Sequence, residues 1–493
     1  MSELLTADEY RALAAEISAP QGAFIGGEFR PARSGRTFTS SNPATGAPLA
    51  EVAACDTDDV DDAVAAARAA FDDGVWPRSH PAERKKVLLR LADLIDANSR
   101  SLALLESIDS GKPILECETV DVPETAEVIR WHAESIDKIY DQVSPPSNDH
   151  IAMIVREPIG VAGLVLPWNF PLMMLAWKIG PALAAGCSVV VKPAEETSLS
   201  TLAVAGLLNE AGIPPGVVNV VPGTGPECGE PLGRHPGVDM ISFTGSTETG
   251  RRFLHYSADS NLKEVVLEMG GKNPCIVMDD AEDLESVAEN VVEGAFWNMG
   301  ENCSAASRLI VHRDIKDRLL EQVTAAADRW PVGDPLDPAV RIGALVSPDH
   351  FAKVNGYLEA ARAENVVYGG AVVAEGIIEP TIVEITRDSA LATEEIFGPI
   401  VSVIVVDSLE EAIAVANDTD YGLAASVFTA NGKRALRAAR ELRAGTVTVN
   451  CFGEGDLTTP FGGYKQSGFG GRDNSLHAHD QYTQLKTIWL DLS

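Results

Sequence analysis

Short apolar runs rich in β-branched residues alternate along the chain with longer stretches of helical periodicity, most regularly from Val161 onward. Five of these runs predict strands: Val161–Leu166, Ser188–Val191, Val217–Val221, Asp239–Phe243 and Glu264–Leu267. The intervening stretches that predict helices include Leu172–Ala185, Ser200–Ala211 and Glu248–Ser257. A short apolar run can also be a piece of helix, but the glycines and prolines between these runs favour strands. The alternation therefore indicates parallel βαβ units.

A second α/β block begins near Lys272. Its predicted strands are Pro274–Val277, Arg308–His312, Val401–Val405 and Thr446–Val449. Helical patterns cover Leu284–Phe296 and a stretch that ends at Trp330, and the N-terminal 140 residues are mostly helical by pattern. Because 493 residues exceed what one ordinary core holds and 45% of them are apolar, we expect an α/β protein of two domains or more.

The chain is strongly acidic, with 39 Lys and Arg against 72 Asp and Glu and a net charge of −33. Such a charge repels phosphate backbones and anionic lipid headgroups, so neither nucleic acid nor a membrane surface is an expected partner. No apolar run reaches the roughly 20 residues needed to cross a bilayer. Residues 1–20 also lack the basic start and apolar centre of a secretory signal, so we expect a cytoplasmic protein.

The seven cysteines are scattered singly and show no C-x-x-C spacing. Disulfide frameworks and zinc sites need paired or clustered cysteines, so neither is predicted and no metal site is expected. Cys303 differs from the others, because it follows Gly300-Glu301-Asn302 and precedes the small residues Ser304-Ala305-Ala306-Ser307. A thiol in such a loop is open to a small substrate.

Each predicted strand of the first block is followed directly by polar residues or glycines. These are Asn169, Lys192 with Glu195, Gly223 with Gly225, Thr244-Gly245-Ser246, and Glu268. In an open α/β sheet, ligands bind in the crevice at the carboxyl ends of the strands. We therefore expect these groups to form one cofactor site, which Cys303 reaches from the second block across a domain interface.

Individual features of this site are weak indicators of a dinucleotide. The spacing of Gly223, Gly225 and Gly229 exceeds the G-x-G-x-x-G fingerprint by one residue, and glycines after a strand are as often ordinary turn residues. Ser246 opens a predicted helix whose N-terminus would attract a pyrophosphate, although a plain N-cap gives the same pattern. Lys192 and Glu195 suit the adenosine ribose hydroxyls, and the carboxylate would repel a 2′-phosphate. NAD is therefore predicted over NADP, with a solvated ion pair as the alternative.

Cys303, Glu268 and Asn169 supply a nucleophile, a base and an amide donor. A thiol of ordinary pKa, about 8.5, is only a few per cent thiolate at neutral pH, so a base or nearby donors must activate it. Glu268, beside Met269 and two glycines, could be that base or could activate water, provided that apolar surroundings raise its pKa. Together the three side chains predict covalent catalysis through Cys303.

Seven motifs, in order along nearly the whole chain, make the sequence similar to the NAD(P)-dependent aldehyde dehydrogenase family. They are Pro167-Trp168-Asn169-Phe170-Pro171, Lys192-Pro193-Ala194-Glu195, Phe243-Thr244-Gly245-Ser246, Leu267-Glu268-Met269-Gly270-Gly271-Lys272, Asn302-Cys303, Glu395-Ile396-Phe397-Gly398-Pro399 and Pro460-Phe461-Gly462-Gly463. The resemblance implies an aldehyde dehydrogenase-like α/β fold with two parallel-sheet, Rossmann-like domains and a small β extension for oligomerisation.

The resemblance also implies a division of the chain. An NAD-binding domain would comprise residues 1–140 and 159–270, a catalytic domain residues 271–470, and an oligomerisation segment residues 141–158 and 471–493. Ile151–Arg156 and Leu485–Leu492 would be the strands of that segment in a homotetramer or homodimer.

In the implied mechanism, Cys303 attacks the aldehyde carbon while the Asn169 amide and the Cys303 N–H hold the oxyanion. Hydride then passes to NAD, and water activated by Glu268 releases the acid from a thioester. Lys178 is a further member of the implied catalytic set, and Glu395 matches the residue that holds the nicotinamide ribose. The implied cofactor contacts are Leu166, Pro167, Trp168, Lys192, Glu195, Gly225, Gly229, Phe243, Thr244, Gly245, Ser246, Lys353, Glu395 and Phe397.

Further motifs resemble the subgroup that oxidises amino-substituted or γ-glutamylamino-substituted aldehydes. They are Ala152-Met153-Ile154-Val155-Arg156-Glu157-Pro158, Gly455-Asp456-Leu457-Thr458-Thr459-Pro460, Ser475-Leu476-His477-Ala478 and Leu485-Lys486-Thr487-Ile488-Trp489. An ammonium group would require carboxylates and aromatic faces, and the expected substrate contacts are Asp121, Phe170, Trp177, Phe296, Glu454, Asp456 and Phe461. One alternative is a broad-specificity aliphatic or betaine aldehyde dehydrogenase. Others are a phosphate-dependent or CoA-acylating relative, which the presence of Glu268 disfavours, and a non-catalytic protein that keeps the fold.

Glu301 departs from the family pattern, in which many members carry Gln or an apolar residue two places before the nucleophile. A carboxylate there would oppose thiolate formation if it faced the thiol. We expect Glu301 to point outward, and a substrate-facing role stays open.

Overall fold

The computed structural model describes residues 4–145 and 148–493. Its helices, α1 to α17, are Ala7–Glu16, Thr57–Asp73, Pro81–Ala97, Ser99–Ser110, Ile114–Glu116, Val122–Ser135, Pro171–Ala185, Leu199–Ala205, Leu208–Ala211, Glu230–Arg234, Thr247–Ala258, Leu284–Phe296, Lys316–Ala327, Pro348–Arg362, Ala390–Thr393, Leu409–Asn417 and Gly432–Glu441. Its strands, β1 to β22, are Ala23–Ile25, Glu28–Arg30, Thr37–Ser41, Pro48–Ala53, Gln142–Val143, His150–Pro158, Val161–Val165, Ser188–Lys192, Val218–Val220, Met240–Thr244, Glu264–Glu268, Pro274–Val277, Arg308–His312, Asn365–Tyr368, Val372–Ala374, Ile377–Ile378, Thr381–Glu384, Ile400–Val406, Ala424–Phe428, Thr446–Val449, Gly468–Phe469 and Thr483–Asp491. Residues 1–3 and 146–147, which belong to the first and the oligomerisation segments of the predicted division, lie outside the described residues.

The first sheet has eight strands in the order β2-β1-β9-β8-β7-β10-β11-β21. Its five central strands, β7 to β11, are parallel and correspond to the five runs predicted from the sequence. The chain adds strands outward from β7 to β9 on one side and from β10 to β11 on the other. The sheet therefore has a switch point between β7 and β10, where a crevice for ligands is expected at the carboxyl ends.

Helix α7 fixes the loop that follows β7. It begins at Pro171, whose restricted φ suits a first helical turn, and it ends before Gly186, which has a φ of +105°. Residues 171–184 of this helix are all buried, and α6 packs along it. The loop at 167–170 is therefore held between a buried strand and a buried helix.

The second sheet has seven strands in the order β14-β17-β18-β13-β12-β19-β20. All neighbours are parallel except β14 and β17. Its interior strands carry continuous apolar runs because helices, among them α12 and α13, cover the sheet and form a separate core. The α/β fold with two parallel sheets predicted from the sequence is confirmed.

Four short strands within the N-terminal 140 residues were not predicted. Strands β1 and β2 extend the first sheet next to β9, and β3 and β4 form a separate antiparallel pair. Strands β1 and β2 have three residues each, too few for periodicity to separate them from loops. Helices α1 to α6 form most of the remainder, as the pattern predicts.

A small antiparallel sheet joins β22, β6 and β5, and the two strands predicted for oligomerisation overlap β6 and β22. Thr483 pairs with Pro158 at one end and Asp491 with His150 at the other. Leu485 and Trp489 lie on one face of this sheet and are 68% and 65% exposed.

Among the described residues, no helix is long and apolar enough to cross a membrane. The same part of the chain contains no group of three or more His, Cys, Asp or Glu side chains arranged to hold a metal ion.

Candidate active site

A cavity of about 250 Å³ lies where the loops that follow β7, β10 and β11 meet loops of the second block. The predicted site residues that line it are Pro167, Trp168, Asn169, Phe170, Trp177, Thr244, Gly245, Ser246, Glu268, Cys303, Lys353, Glu395, Phe397, Glu454 and Phe461. The predicted nucleophile, base and amide donor therefore share one cavity with much of the predicted cofactor site. The remaining predicted residues lie around it or away from it.

A sharply turned segment after α12 presents Cys303. Asn298, Met299 and Gly300 have φ values of +53°, +55° and +70°, left-handed conformations that reverse the chain direction. Gly300 is required at its position, because a Cβ there would lie 2.4 Å from the backbone oxygen of Gly398. The turn returns the chain to the cavity at Cys303.

The Cys303 thiol is half-buried and forms no disulfide. Burial raises its pKa well above the ordinary thiol value, and the carboxylates of Glu454, Glu268 and Glu395 raise it further. The side chain is therefore protonated at neutral pH and becomes a nucleophile only when its proton is removed.

Asn169 lies between β7 and α7, and its side chain lines the cavity. Its Nδ2 donates to the backbone oxygen of Glu301 at 2.9 Å. Its own backbone oxygen accepts from Lys112 Nζ at 3.2 Å and from Asn298 Nδ2 at 3.1 Å. Since an amide nitrogen carries two hydrogens, Asn169 keeps one for an acceptor in the cavity.

Glu268 is the last residue of β11 and is 3% exposed. Neither carboxylate oxygen accepts a well-formed hydrogen bond from a described residue. Burial raises its pKa well above 4.5, and the charge of Asp473 adds to the rise, whereas Lys178 and Arg472 lower it. A carboxyl group with a raised pKa can take up and return a proton near neutral pH.

Lys178 lies behind the cavity and is fully buried. Its Nζ donates to Ser242 Oγ at 2.9 Å and lies 3.8 Å from Asp473 Oδ2. Asp473 lines the cavity, although the sequence motifs did not single it out. Lys178 therefore influences the site through charge, and its catalytic role stays a prediction.

Aromatic rings enclose the cavity on the side of Glu395. The Trp168 ring centroid lies 4.9 Å from that of His350 and 5.3 Å from that of Phe397. Phe397 has a φ of +60°, and its backbone oxygen accepts a hydrogen bond from His350 Nε2 at 2.7 Å. Glu395 Oε1 accepts from the backbone nitrogen of Gly271 at 2.8 Å, which fixes the carboxylate at the cavity wall.

Lys192 and Glu195 form an ion pair of 2.8 Å beside the cavity. Glu195 Oε1 also accepts from the backbone nitrogen of Gly225 at 3.3 Å. Lys192 is 3% exposed but the Glu195 side chain is 37% exposed, so the pair is partly open to solvent and the solvated ion pair stays an alternative. A Cβ on Gly225 would meet no atom within 4 Å, which leaves the space beside this glycine open.

The end of β10 contributes Thr244 and Ser246. Ser246 Oγ accepts from the backbone nitrogen of Thr249 at 3.2 Å and so caps α11. Thr244 Oγ1 is buried, lines the cavity and has no hydrogen-bond partner among the described residues. A buried hydroxyl without a partner calls for a ligand or an ordered water.

Three predicted cofactor contacts face away from the cavity. The Phe243 side chain packs in the core, with its ring centroid 5.0 Å from that of Phe253, so a side-chain contact with a cofactor is wrong. Leu166 is also a core side chain. Gly229 lies beneath Lys192, whose Cδ is 3.6 Å from the position of a Gly229 Cβ.

A second cavity of about 620 Å³, the vestibule, shares Trp177, Trp297 and Glu454 with the first. Its other lining residues are Thr119, Val120, Pro123, Glu124, Glu127, Trp131, Phe452, Gly453, Gly455, Asp456, Leu457, Thr458 and Asn474. Its described lining contains four carboxylates and no Lys or Arg. Since Glu127 and Asp456 are exposed, the vestibule connects the inner cavity with solvent.

Aromatic pairs form the wall between the two cavities. Phe170 and Trp297 have ring centroids 5.1 Å apart, as do Trp177 and Phe461. Glu454 lies beside them, accepts a short hydrogen bond from Ser304 Oγ, and has a pKa raised by burial. The predicted contacts Phe170, Trp177, Glu454 and Phe461 are therefore in reach of a ligand in the inner cavity.

Two predicted substrate contacts are wrong. Asp121 is fully buried and forms an ion pair with Lys112, so its charge is already compensated inside the protein. Phe296 is buried in the core of the second block, with its ring centroid 6.5 Å from that of Trp330. Another predicted contact, Asp456, lies at the exposed rim of the vestibule, where its Oδ1 accepts from the backbone nitrogen of Thr458 at 2.7 Å.

The sequence reasoning missed three vestibule residues on α6. Glu124, Glu127 and Trp131 follow one another at spacings of three and four, which places them on one face of a helix. That spacing was readable from the sequence, but nothing in the sequence showed that this face borders the site.

Glu301 is 1% exposed, so the expectation of an outward carboxylate is wrong. Its Oε1 accepts from the backbone nitrogen of Val346 at 3.1 Å and lies 3.4 Å from His350 Nε2. Burial raises its pKa well above 4.5. Burial lowers the pKa of His350 to about 4, so its ring is neutral at pH 7, and the Val346 N–H is the group that holds the Glu301 carboxyl inside the protein. Glu301 is not among the main causes of the raised pKa of Cys303.

The sequence is similar to known proteins along nearly its whole length. A family model described as the aldehyde dehydrogenase family matches residues 29–488. The chain is 64% identical to the aminoacetaldehyde dehydrogenase of Pseudomonas aeruginosa, over 100% of both chains.

Solved structures give the same picture. The γ-glutamyl-γ-aminobutyraldehyde dehydrogenase from Burkholderia cenocepacia J2315 is 51% identical, with a TM-score of 0.98 over 99% of this chain and 100% of that one. A mutant of the P. syringae indole-3-acetaldehyde dehydrogenase AldA, in complex with NAD+ and IAA, is 47% identical, with the same TM-score and coverage.

Proposed function

The chain belongs to the aldehyde dehydrogenase family, and from that premise we propose that it oxidises a small amino-substituted aldehyde to the carboxylic acid with NAD as the hydride acceptor. The relatives named for aminoacetaldehyde and γ-glutamyl-γ-aminobutyraldehyde support an amino-substituted substrate. The observation that carries the proposal is the charge of the vestibule.

The vestibule combines carboxylates with aromatic rings. Glu124, Glu127, Glu454 and Asp456 line it, together with Trp131, Trp177, Trp297 and Phe452. Carboxylates and ring faces both attract an ammonium group, and an uncharged alkyl chain gains nothing from the carboxylates. An ammonium-bearing aldehyde would therefore be concentrated at the entrance to Cys303.

Glu124 is a vestibule carboxyl group whose ionisation a cationic ligand would favour. Burial raises its pKa to about 7, and the negative charges of Glu454 and Asp121 contribute to the rise. A substrate ammonium group beside Glu124 would favour the ionised carboxylate and would itself lose less by leaving water. The protein holds clustered like charges here that a cationic ligand would relieve.

The cofactor groups present suit NAD. The unpartnered Thr244 hydroxyl, the open space beside Gly225 and the carboxylates of Glu195 and Glu395 are available to a polar ligand. Glu195 and Lys192 would hold the adenosine ribose, and Glu395 the nicotinamide ribose. The Glu195 carboxylate would repel a 2′-phosphate, which favours NAD over NADP. When bound, NAD supplies the acceptor for the hydride.

The first half of the reaction falls to Cys303 and Asn169. The thiol proton passes to water, and Sγ bonds to the aldehyde carbon to form a thiohemiacetal oxyanion. That oxyanion accepts from the free Asn169 Nδ2 hydrogen and from the Cys303 N–H. Such fixed donors contribute a few kcal/mol each to the rate. Loss of hydride from the former aldehyde carbon leaves a thioester on Cys303.

Hydrolysis falls to Glu268. The carboxylate takes a proton from water, and the water oxygen attacks the thioester carbon. The carbon–sulfur bond then breaks, the acid leaves, and the thiolate takes the proton that Glu268 holds. The raised pKa of Glu268 suits a base that must act near neutral pH.

The substrate proposal is tested with matched pairs of aldehydes. In the first pair, 3-aminopropanal carries an ammonium group where butanal carries a methyl group. In the second pair, betaine aldehyde has a quaternary nitrogen where 3,3-dimethylbutanal has a quaternary carbon. We expect kcat/KM to favour the primary ammonium compound of the first pair. The Glu124→Gln variant should lower kcat/KM for 3-aminopropanal roughly three- to tenfold and leave butanal unchanged.

Glu134→Gln is the matched control, because Glu134 is an exposed residue of the same helix α6 outside the vestibule. Equal rates within both pairs would replace the proposal with a broad aliphatic enzyme, and a preference for betaine aldehyde would indicate a betaine-type enzyme. Acyl-CoA formed in the presence of CoA would contradict hydrolysis.

The small sheet of β22, β6 and β5 supports self-association. Leu485 and Trp489 are exposed large apolar residues on one of its faces. Apolar side chains at such density commonly mark an interface. A homodimer or homotetramer in which this face is covered is the assembly we propose.

A further inference from the structure

The two oxyanion donors proposed above belong to different parts of the chain, so something must set their spacing. Asn169 follows β7 of the first sheet, and Cys303 follows α12 of the second block. A donor displaced by about 1 Å can cost a large part of its effect on rate. Between these two residues lies one buried side chain that the mechanism does not use, Asn298.

Asn298 joins the two segments directly. Its Nδ2 donates to the backbone oxygen of Asn169 at 3.1 Å and to the backbone oxygen of Glu301 at 3.0 Å. These bonds use both hydrogens of the amide. The reverse orientation of the amide would place its oxygen against two carbonyl oxygens, so the bonds also fix which way it points.

The carbonyl that Asn298 bonds at residue 301 is the one that holds the Asn169 side chain. The backbone oxygen of Glu301 accepts from Asn169 Nδ2 at 2.9 Å as well. Glu301 is two residues from Cys303, and its backbone nitrogen donates to the backbone oxygen of Asn298 at 2.8 Å. The Asn298 amide, the Asn169 amide and the segment leading to Cys303 thus form one closed set of hydrogen bonds.

A buried ion pair supports the Asn169 carbonyl, which Asn298 also bonds. Lys112 is 1% exposed, is paired with Asp121, and donates to the backbone oxygen of Asn169 at 3.2 Å. Its Nζ also lies 4.0 Å from the centre of the Phe170 ring. Asp121 therefore acts within the protein on the residue-169 loop.

We infer that Asn298 is a positioning residue that sets the distance between the Asn169 amide and the Cys303 N–H, with the Lys112–Asp121 pair as its support. Its left-handed backbone, with a φ of +53°, turns the side chain back onto both carbonyls. Asparagine tolerates this conformation far better than most residues. The inference rests on the proposed roles of Cys303 and Asn169.

The variant Asn298→Gly tests it, because glycine accepts the same φ and removes only the amide. Two reagents then separate oxyanion stabilisation from thiol reactivity, and neither needs NAD or an aldehyde. Attack of Cys303 on 4-nitrophenyl acetate passes through a tetrahedral oxyanion and releases 4-nitrophenolate, leaving an acetyl thioester. Alkylation by iodoacetamide displaces iodide and forms no oxyanion.

We expect Asn298→Gly to slow the acylation burst roughly tenfold to a hundredfold and to change the alkylation rate less than about twofold. In an Asn169→Ala background, removing the Asn298 amide should cause no further loss, because the two residues act as a unit. Equal changes in acylation and alkylation, or additive losses in the double variant, would overturn the inference.

Asn450→Gly is the matched control. Asn450 also has a positive φ, +58°, and its side chain bonds the backbone of Thr429, away from the cavity. It should leave both rates unchanged. If Asn298→Gly does not fold, Asn298→Ser serves instead, because its single hydroxyl hydrogen can bond only one of the two carbonyls.

A wild-type protein that is not acylated at Cys303, with a Cys303→Ala variant giving the same trace, would contradict the proposed function itself. A wild-type burst that Asn298→Gly leaves intact would contradict only the positioning role.

Discussion

Cys303 lies among carboxylates that work against its ionisation. Burial is the main cause of its raised pKa, and Glu454, Glu268 and Glu395 follow in that order. Of these, only Glu454 lies on the vestibule side and takes no part in the proposed hydrolysis or cofactor binding. Glu454 therefore makes the resting thiol less reactive, and in the proposed function it also lies beside the substrate.

Glu454→Gln should lower the pKa of Cys303, because it removes a negative charge near the thiolate while keeping the size and polarity of the side chain. We expect the pH profile of iodoacetamide alkylation to move to lower pH. The rate at pH 7.5 should rise roughly threefold or more. Alkylation followed by mass spectrometry of the Cys303 peptide measures it.

Glu282→Gln, on the exposed surface of the second block, is the control and should leave the profile in place. A profile that stays put or moves to higher pH in Glu454→Gln would contradict the electrostatic role of Glu454.

At this scale the sequence predicted residues whose chemistry is visible in a motif. Asn169, Glu268 and Cys303 were singled out as donor, base and nucleophile, and all three line one cavity. Asp121 was misjudged because its partner Lys112 is nine residues away, and burial of that ion pair depends on how α6 packs. Asn298 went unnoticed, since nothing in the sequence distinguishes an amide that bridges two carbonyls from a solvated one.

At the scale of elements, the hydrophobic pattern predicted the bounds of four elements of the second block correctly. Strands Pro274–Val277, Arg308–His312 and Thr446–Val449 and helix Leu284–Phe296 all have the predicted bounds. The helix begins after Asp283, whose side chain accepts from the backbone nitrogen of Ser286 at 3.3 Å. The N-terminal strands escaped prediction because β1 and β2 have only three residues each and β3 and β4 are mostly exposed, so pairing rather than local pattern defines them.

Helix α6 and the turn Leu476–Tyr482 meet through two buried histidines. His132 Nδ1 lies 3.3 Å from His479 Nε2, which also contacts Ser135 Oγ at 2.9 Å. Burial lowers the pKa of His132 well below 6.5 and that of His479 to about 4. The folded protein keeps both rings neutral in a range where the unfolded chain would protonate them.

We expect the free energy of unfolding to fall as the pH falls from 6.5 towards 4, because the unfolded chain then binds protons that the two buried histidines of the folded state do not bind. His479→Gln removes one of these sites, so the drop in the free energy of unfolding between pH 7 and pH 5 should shrink by about 1–2 kcal/mol. Chemical denaturation at the two pH values measures the difference.

His477→Gln is the matched control, because His477 lies two residues away with a side chain that is 67% exposed. The same pH dependence in His479→Gln and wild type would mean that this pair does not couple folding to protonation.

At the scale of the whole molecule, the small sheet of β22, β6 and β5 leaves large apolar side chains exposed on a single chain. We expect Leu485→Glu with Trp489→Glu to shift the assembly towards smaller species, because both charges would be buried in an interface. Light scattering coupled to size-exclusion chromatography gives the mass. Gln484→Glu, on the opposite face of β22, should leave it unchanged.

A wild-type protein that is monomeric across the concentrations tested would contradict the proposed assembly. An unchanged mass in the double variant would mean that the interface lies on another surface of the protein.

The vestibule also bears on how a turnover ends. In the proposed reaction, an aldehyde with one positive charge becomes an amino acid that carries a carboxylate as well, formed next to Glu268 and Glu454. The net charge of the molecule falls from +1 to zero, and its new carboxylate is repelled by the four carboxylates of the vestibule, so the product should bind less well than the substrate. We therefore expect the amino acid product to inhibit the enzyme only weakly, even at high concentration.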